Sequence, residues 1–293
     1  MTAQPLTDSS SITFGRVGPP GAERPVARLG GDAFDLTPVT SDLTSSSLDG
    51  GGLESMITAV RSGDLRRTSI EGMRIGPPIA DPRKIVCIGL NYHRHAQETN
   101  AAVPSEPIVF MKDPGCVVGP DDEVLIPRAS TKTDWEVELA VVIGRTARYL
   151  PDRHAAQACI AGYSISNDVS EREFQLERGG QWDKGKSCET FNPLGPWLVP
   201  TESIPDPQEL ELRLWVNGSL RQSSSTKDMI FPVDHLIWYL SQFMVLRPGD
   251  VVNTGTPAGV ALGLPDTPYL RPGDVIELEI EHIGRQRQVV RQA

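Results

Sequence analysis

The stretch Trp135-Glu136-Val137-Glu138-Leu139-Ala140-Val141-Val142-Ile143 leaves this chain little freedom. Its second half is short, apolar and rich in β-branched residues, which predicts a strand buried on both faces. Its first half carries glutamates two positions apart, and residues i and i+2 of a strand point to the same side. Glu136 and Glu138 are therefore expected side by side at the mouth of a buried sheet. Paired carboxylates there repel each other and lose hydration, so they need a proton or a cation. A hard divalent ion with oxygen ligands meets that need. The same spacing also fits two solvated glutamates on an edge strand.

Composition narrows the class. The chain has 293 residues, enough for a large domain with a small one, and its 27 glycines and 25 prolines favour a β-rich, turn-rich architecture over a helical bundle. A formal charge of -10 argues against nucleic-acid binding, which needs clustered Lys and Arg. No apolar run is long enough for a membrane span, and Met1–Ser11 lacks a secretory pattern. Cys87, Cys116, Cys159 and Cys188 form no CxxC pair, so reduced core thiols in a cytoplasmic protein are expected.

Along the chain, Met1–Ser11 is expected to be disordered. Strands follow over Thr13–Gly30 and around Phe34, then a loop over Thr40–Gly52 and a helix over Leu53–Gly63. The prolines at 77, 78 and 82 place a boundary between a small N-terminal domain, 1–78, and a larger one, 79–293. A strand from Lys84 to Gly89 leads into a helix where His95 and Glu98 share one face, an arrangement suited to a general base or to an ordinary surface pair. Strands are expected over Pro107–Lys112 and Ile160–Asn167, with Asp168 at a strand-to-helix junction before a helix over Ser170–Arg178. Gly179–Lys186 reads as a mobile, glycine-rich loop without phosphate-loop spacing. Asn217-Gly218 predicts a hairpin, and Met229–Met244 a long amphipathic helix. Leu246-Arg247-Pro248-Gly249-Asp250-Val251-Val252 recurs as Leu270-Arg271-Pro272-Gly273-Asp274-Val275-Ile276, each a turn feeding a strand. Between them lies the glycine-rich loop Asn253–Val260, able to bring backbone N–H groups close to an anion or to serve as a plain connection.

Taken together, Gly89-x-Asn91-Tyr92-x-x-His95-x-x-Glu98, Glu136-x-Glu138, Asn167-Asp168-Val169-Ser170-x-Arg172-x-x-Gln175, Lys186 and Thr254-Gly255-Thr256-Pro257-x-Gly259-Val260 resemble the fumarylacetoacetate hydrolase family, in the family's order, over about 80–285. The resemblance implies a mixed α/β, β-rich fold, a mixed β-roll with a small N-terminal domain. It implies Glu136, Glu138 and Asp168 as ligands for Mg²⁺ or Mn²⁺, His95, Glu98 and Lys186 as catalytic groups, and Arg172, Gln175 and Thr256 as substrate contacts. The run Ser170–Lys186 is most similar to members described as 2,4-diketo-3-deoxy-L-fuconate or L-rhamnonate hydrolases. The chain departs from that subgroup at Ser187-Cys188-Glu189-Thr190-Phe191-Asn192, where Gly-Cys-Asp-Thr-Phe-Gly is usual. The implied activity is hydrolysis of a C–C bond in a 2,4-dioxo acid to pyruvate and a small acid. Decarboxylation or tautomerisation of related acids is the alternative, and a non-catalytic metal-dependent binding protein the second alternative. A small 2-oxo acid and a second copy of the chain, as a homodimer, are the implied partners.

Overall fold

The computed structural model describes residues 11–293, so the expected disorder of Met1–Ser11 lies, but for its last residue, outside the described residues. The chain opens with strands β1 (Ile12–Val17), β2 (Arg24–Leu29) and β3 (Asp32–Asp35), helices α1 (Ser45–Leu48) and α2 (Gly52–Ser62), and β4 (Ile75–Gly76). Next come β5 (Ile85–Gly89), α3 (His93–Glu98), β6 (Ile108–Lys112), β7 (Val117–Val118), β8 (Val124–Ile126), β9 (Thr133–Asp134) and β10 (Val137–Ile143). Then follow α4 (Arg153–Gln157), β11 (Ile160–Asn167), β12 (Ser170–Glu171), α5 (Asp183–Lys186) and β13 (Asn192–Pro200). The chain closes with β14 (Glu211–Val216), β15 (Ser219–Ser225), α6 (Val233–Leu240), β16 (Val251–Asn253), β17 (Val275–Ile280) and β18 (Gly284–Gln292).

Most of these strands join one mixed sheet in the order β3-β2-β1-β13-β11-β10-β16-β5-β6, and β15-β14-β17-β18-β8 form a second. The fold is thus mixed α/β and sheet-rich. β10 lies inside the large sheet, antiparallel to β11 and β16, and every one of its residues is buried. Its alternation sorts the interior. Val137, Leu139, Val141 and Ile143 enter the main core, shared with Leu212, Leu214, Ile276 and Leu278 of the second sheet and with α6. On the opposite face, Ala140 packs with Cys87 and Phe110, while Val142 packs with the N-terminal layer. That layer rests on α2, whose Leu53, Met56, Ile57 and Val60 form one buried stripe. Gly63, in the left-handed conformation, ends the helix. Its β1 also hydrogen-bonds to β13, so the N-terminal strands extend the large sheet.

Three expectations need correction. The helix expected over Met229–Met244 is α6 alone, Val233–Leu240. Pro232 keeps Phe231 out of the α region, so the helix cannot reach back to Met229. Ser170 and Glu171 do not start a helix: they pair with Asp134 and Thr133 as a short ladder, and a single wide π-helical turn follows over Glu173–Glu177. Asp168 therefore stands at a corner between two strands. The loop expected over Gly179–Lys186 ends in the helical turn α5, because Lys186 is drawn into the interior by buried carboxylates. The Asn217-Gly218 hairpin forms with both residues at positive φ, 51° and 76°. No helix among the described residues is long and apolar enough to cross a membrane.

Candidate metal centre and histidine dyad

Strand pairing builds the acidic cluster. Glu136 immediately precedes β10 and Glu138 lies within it; Val137 pairs with Asn167, the last residue of β11. The next residue, Asp168, donates its N–H to the Glu136 carbonyl at 2.9 Å. One oxygen from each of Glu136, Glu138 and Asp168 consequently lies within 4.8 Å of the others, and all three side chains are buried.

Three buried cations surround these acids. Lys186 Nζ donates to Glu136 Oε2 at 2.7 Å and to Asp168 Oδ2 at 2.9 Å. Arg172 Nη2 donates to Glu136 Oε1 at 2.7 Å, and Arg172 Nη1 to Gln175 Oε1 at 2.9 Å. Lys112, at the end of β6, donates to Asp168 Oδ1 and, at 3.1 Å, to the Val169 carbonyl. Burial works against the charge on Lys186, yet Asp168 and Glu136 outweigh it and keep the ammonium protonated. Burial likewise opposes charge on Glu136, but Lys186 and Arg172 prevail, with a contribution from His95, and its carboxyl is held below the usual range.

Glu138 is different. It accepts a hydrogen bond from Gly255 N at 2.7 Å and forms no ion pair among the described residues. Burial, with Asp168 and Glu136 beside it, pushes its carboxyl well above the usual carboxylate range. The cluster thus has one buried carboxylate without a cation. Three convergent carboxylate oxygens, one of them on an acid that must hold a proton unless a cation meets it, fit a hard divalent ion such as Mg²⁺ or Mn²⁺, which prefers oxygen ligands.

His95 and Glu98 share one face of α3, with His95 Nδ1 3.4 Å from Glu98 Oε2. Glu98 is anchored in turn, since Gly259 N donates to its two oxygens at 3.0 and 3.1 Å. The glycine-rich loop does hold anions closely, but they are the protein's own: Gly255 serves Glu138 and Gly259 serves Glu98. Both glycines have positive φ, and a Cβ on Gly255 would meet Asn91 Cβ at 2.7 Å. Asn91 ties the start of α3 to this loop, donating to the carbonyls of Thr254 at 2.8 Å and Phe231 at 3.0 Å. Thr256 Oγ1 donates to the Val137 carbonyl at 3.0 Å and accepts from Gln222 Nε2 at 2.9 Å.

The structure therefore brings Glu136, Glu138, Asp168, Lys186, Arg172 and Gln175 into one connected cluster, with Thr256 fixed to the backbone between the glutamates. Sequence reasoning missed Lys112, Asp134 and Gln222. Asp134 continues the alternation Asp134-x-Glu136-x-Glu138, a signal available in the sequence; Lys112 had none beyond its place at a strand end. The four cysteines are free, and burial raises all four thiols, so these side chains act as packing groups.

The family model for the fumarylacetoacetate (FAA) hydrolase C-terminal region matches residues 84–291. The chain belongs to the fumarylacetoacetate hydrolase family. A Burkholderia multivorans relative, named as a hydrolase without a stated substrate, is 46% identical over 280 residues, covering 95% of this chain and 98% of the relative. The solved fumarylacetoacetate hydrolase from Exiguobacterium antarcticum is 35% identical with a TM-score of 0.82, covering 97% of this chain and 100% of that one. A 2-hydroxyhepta-2,4-diene-1,7-dioate isomerase from Mycobacterium marinum is 30% identical with a TM-score of 0.75, covering 96% of this chain and 99% of that one. The family so represented contains metal-dependent enzymes, hydrolases and isomerases among them, and the buried acidic triad is where such a metal would bind.

Proposed function

We propose that this protein is a Mg²⁺- or Mn²⁺-dependent hydrolase that cleaves the C3–C4 bond of a 2,4-dioxo acid, giving pyruvate and a second, small acid. The observation that carries this reading is the pairing of a buried three-carboxylate cluster with a histidine that has its own carboxylate partner. Glu136, Glu138 and Asp168 would hold the divalent ion, which would supply the positive charge that favours an enolate. Glu98 orients the His95 ring, and His95 takes a proton from water. The water oxygen bonds to the 4-oxo carbon and the C3–C4 bond breaks. Its electron pair stays with C3, which takes up a proton and becomes the methyl of pyruvate. Lys186 maintains an ammonium beside the developing negative charge, while Arg172, Gln175 and Thr256 line the substrate's approach.

A substrate derived from a deoxy sugar acid, as in the fuconate and rhamnonate hydrolases, is the finer version of this proposal. The test supplies several acylpyruvates and deoxy-sugar dioxo acids with Mg²⁺ or Mn²⁺ and couples pyruvate release to NADH oxidation. Release that depends on metal and on His95 supports the reading; no release from any of them contradicts it. The isomerase-like neighbour from M. marinum favours one second reading, tautomerisation of a 2-hydroxydienoate. A change in dienol absorbance without pyruvate formation would identify it, and CO₂ release from oxaloacetate would identify decarboxylation. A homodimer is proposed as the working unit, checked by light scattering.

A further inference from the structure

Asp134 is fully buried and takes no part in the roles assigned above. Its carboxylate accepts from four donors. Trp135 N and Ala261 N reach Oδ1 at 2.8 and 2.7 Å, and Arg172 Nε and Leu262 N reach Oδ2 at 2.8 and 3.1 Å. These donors belong to separate segments, and two of the segments lead to functional groups. Arg172 continues to the metal-ligand candidate Glu136 at 2.7 Å. The 261–263 turn continues to the dyad: Gly259 donates to Glu98, and Gly263 lies so close that an added Cβ would crowd the Glu98 carboxyl.

From this we infer that Asp134 is a positioning residue that sets the metal ligands and the His95–Glu98 dyad at a fixed separation. One arm runs through Arg172 to Glu136. The other runs through the backbone of Ala261 and Leu262 to the loop that carries Glu98. The inference gives Arg172 a second task. Its Nε, Nη1 and Nη2 all have protein partners, so the guanidinium is a strut between Asp134 and Glu136 before it meets any substrate. A carboxylate suits the hub because both oxygens must accept: an amide at this position would present an N–H₂ group either to Arg172 or to the backbone amides.

The inference rests on the proposed metal site, and its test has one readout that does not. The substitution is Asp134→Asn; the control is Asp250→Asn, a carboxylate equally buried and paired with Lys84. The Asp250 carbonyl accepts from Ile143 N, at the end of β10 opposite the glutamates. Mn²⁺ affinity is measured by titration calorimetry on metal-stripped protein. The rate of His95 modification by diethylpyrocarbonate is read by mass spectrometry, with His154 as internal reference. Asp134→Asn is expected to weaken Mn²⁺ binding about tenfold, the size seen when partners of metal ligands are removed, and to speed His95 labelling. Asp250→Asn is expected to change neither. Asp134→Asn with both readouts unchanged would overturn the inference, even if the melting temperature fell. A wild-type protein that binds no Mn²⁺ removes the metal reading, and the labelling rate alone then decides. If Asp134→Asn does not fold, Arg172→Lys cuts one arm: weaker Mn²⁺ binding with His95 labelling unchanged supports the two-arm account, and unchanged Mn²⁺ binding rejects it.

Discussion

The two faces of β10 are built on opposite rules. On one, Val137, Leu139, Val141 and Ile143 are buried among aliphatic neighbours and owe their place to the removal of apolar surface from water. On the other, two residues of the same stretch, Glu136 and Glu138, are as deeply buried among charges. Glu136 is matched by Lys186 and Arg172, whereas Glu138 has a single backbone N–H. The first face would be stable in any protein of this shape. The second leaves Glu138 to hold a proton or meet a cation, and a divalent ion would answer that demand.

The largest effect is expected from Glu136→Ala. It leaves Lys186 and Arg172 facing a missing partner, so stability should fall by about 3–5 kcal/mol, and both metal binding and turnover should vanish. Urea unfolding and calorimetry check this; a variant that still bound Mn²⁺ as wild type would break the contrast between the faces. Leu139→Ala, on the apolar face, should cost about 2–5 kcal/mol through the cavity it leaves. Its metal affinity, measured below the unfolding transition, should match wild type.

His95→Ala sharpens the comparison inside the polar face. It should lower kcat by about 10²–10⁴, the range for loss of a general base, while Mn²⁺ binding persists. A parallel loss of metal would show that the histidine is part of the ion's site. Glu138→Gln should have the smallest effect on the fold and of opposite sign. Burial beside Asp168 and Glu136 makes this carboxyl take up a proton on folding, and an amide avoids that cost, so the melting temperature of the metal-free protein at neutral pH should rise. An unchanged or lowered value would mean that Glu138 is already compensated.

How much of this was legible depends on how local each signal is. The Glu136–Glu138 alternation and the apolar run after it are contained in nine consecutive residues, and the strand follows from them. Asn217-Gly218 and the two Arg-Pro-Gly-Asp turns are likewise written locally. In each turn the aspartate accepts from the arginine N–H three residues back, at 2.8 Å for Arg247 and 2.7 Å for Arg271. The remainder depends on partners distant in the chain. Lys112 matters because Asp168, 56 positions away, comes to rest against it, and no periodicity records that. The parallel pairing of β16 with β5 is equally invisible. Hydrophobic periodicity runs on through Pro232, so the pattern predicts a longer helix than the Val233–Leu240 that forms. The buried end of the loop at Lys186 was missed because its glycines and charges describe a solvated segment until two carboxylates claim the lysine.

The most direct measurement is Mn²⁺ titration of the metal-stripped protein, followed by electron paramagnetic resonance, with Glu138→Gln as the comparison. The account predicts one ion per chain, displaced by Mg²⁺ and lost in the variant. No saturable binding at millimolar Mn²⁺, or binding that Glu138→Gln leaves intact, would contradict it.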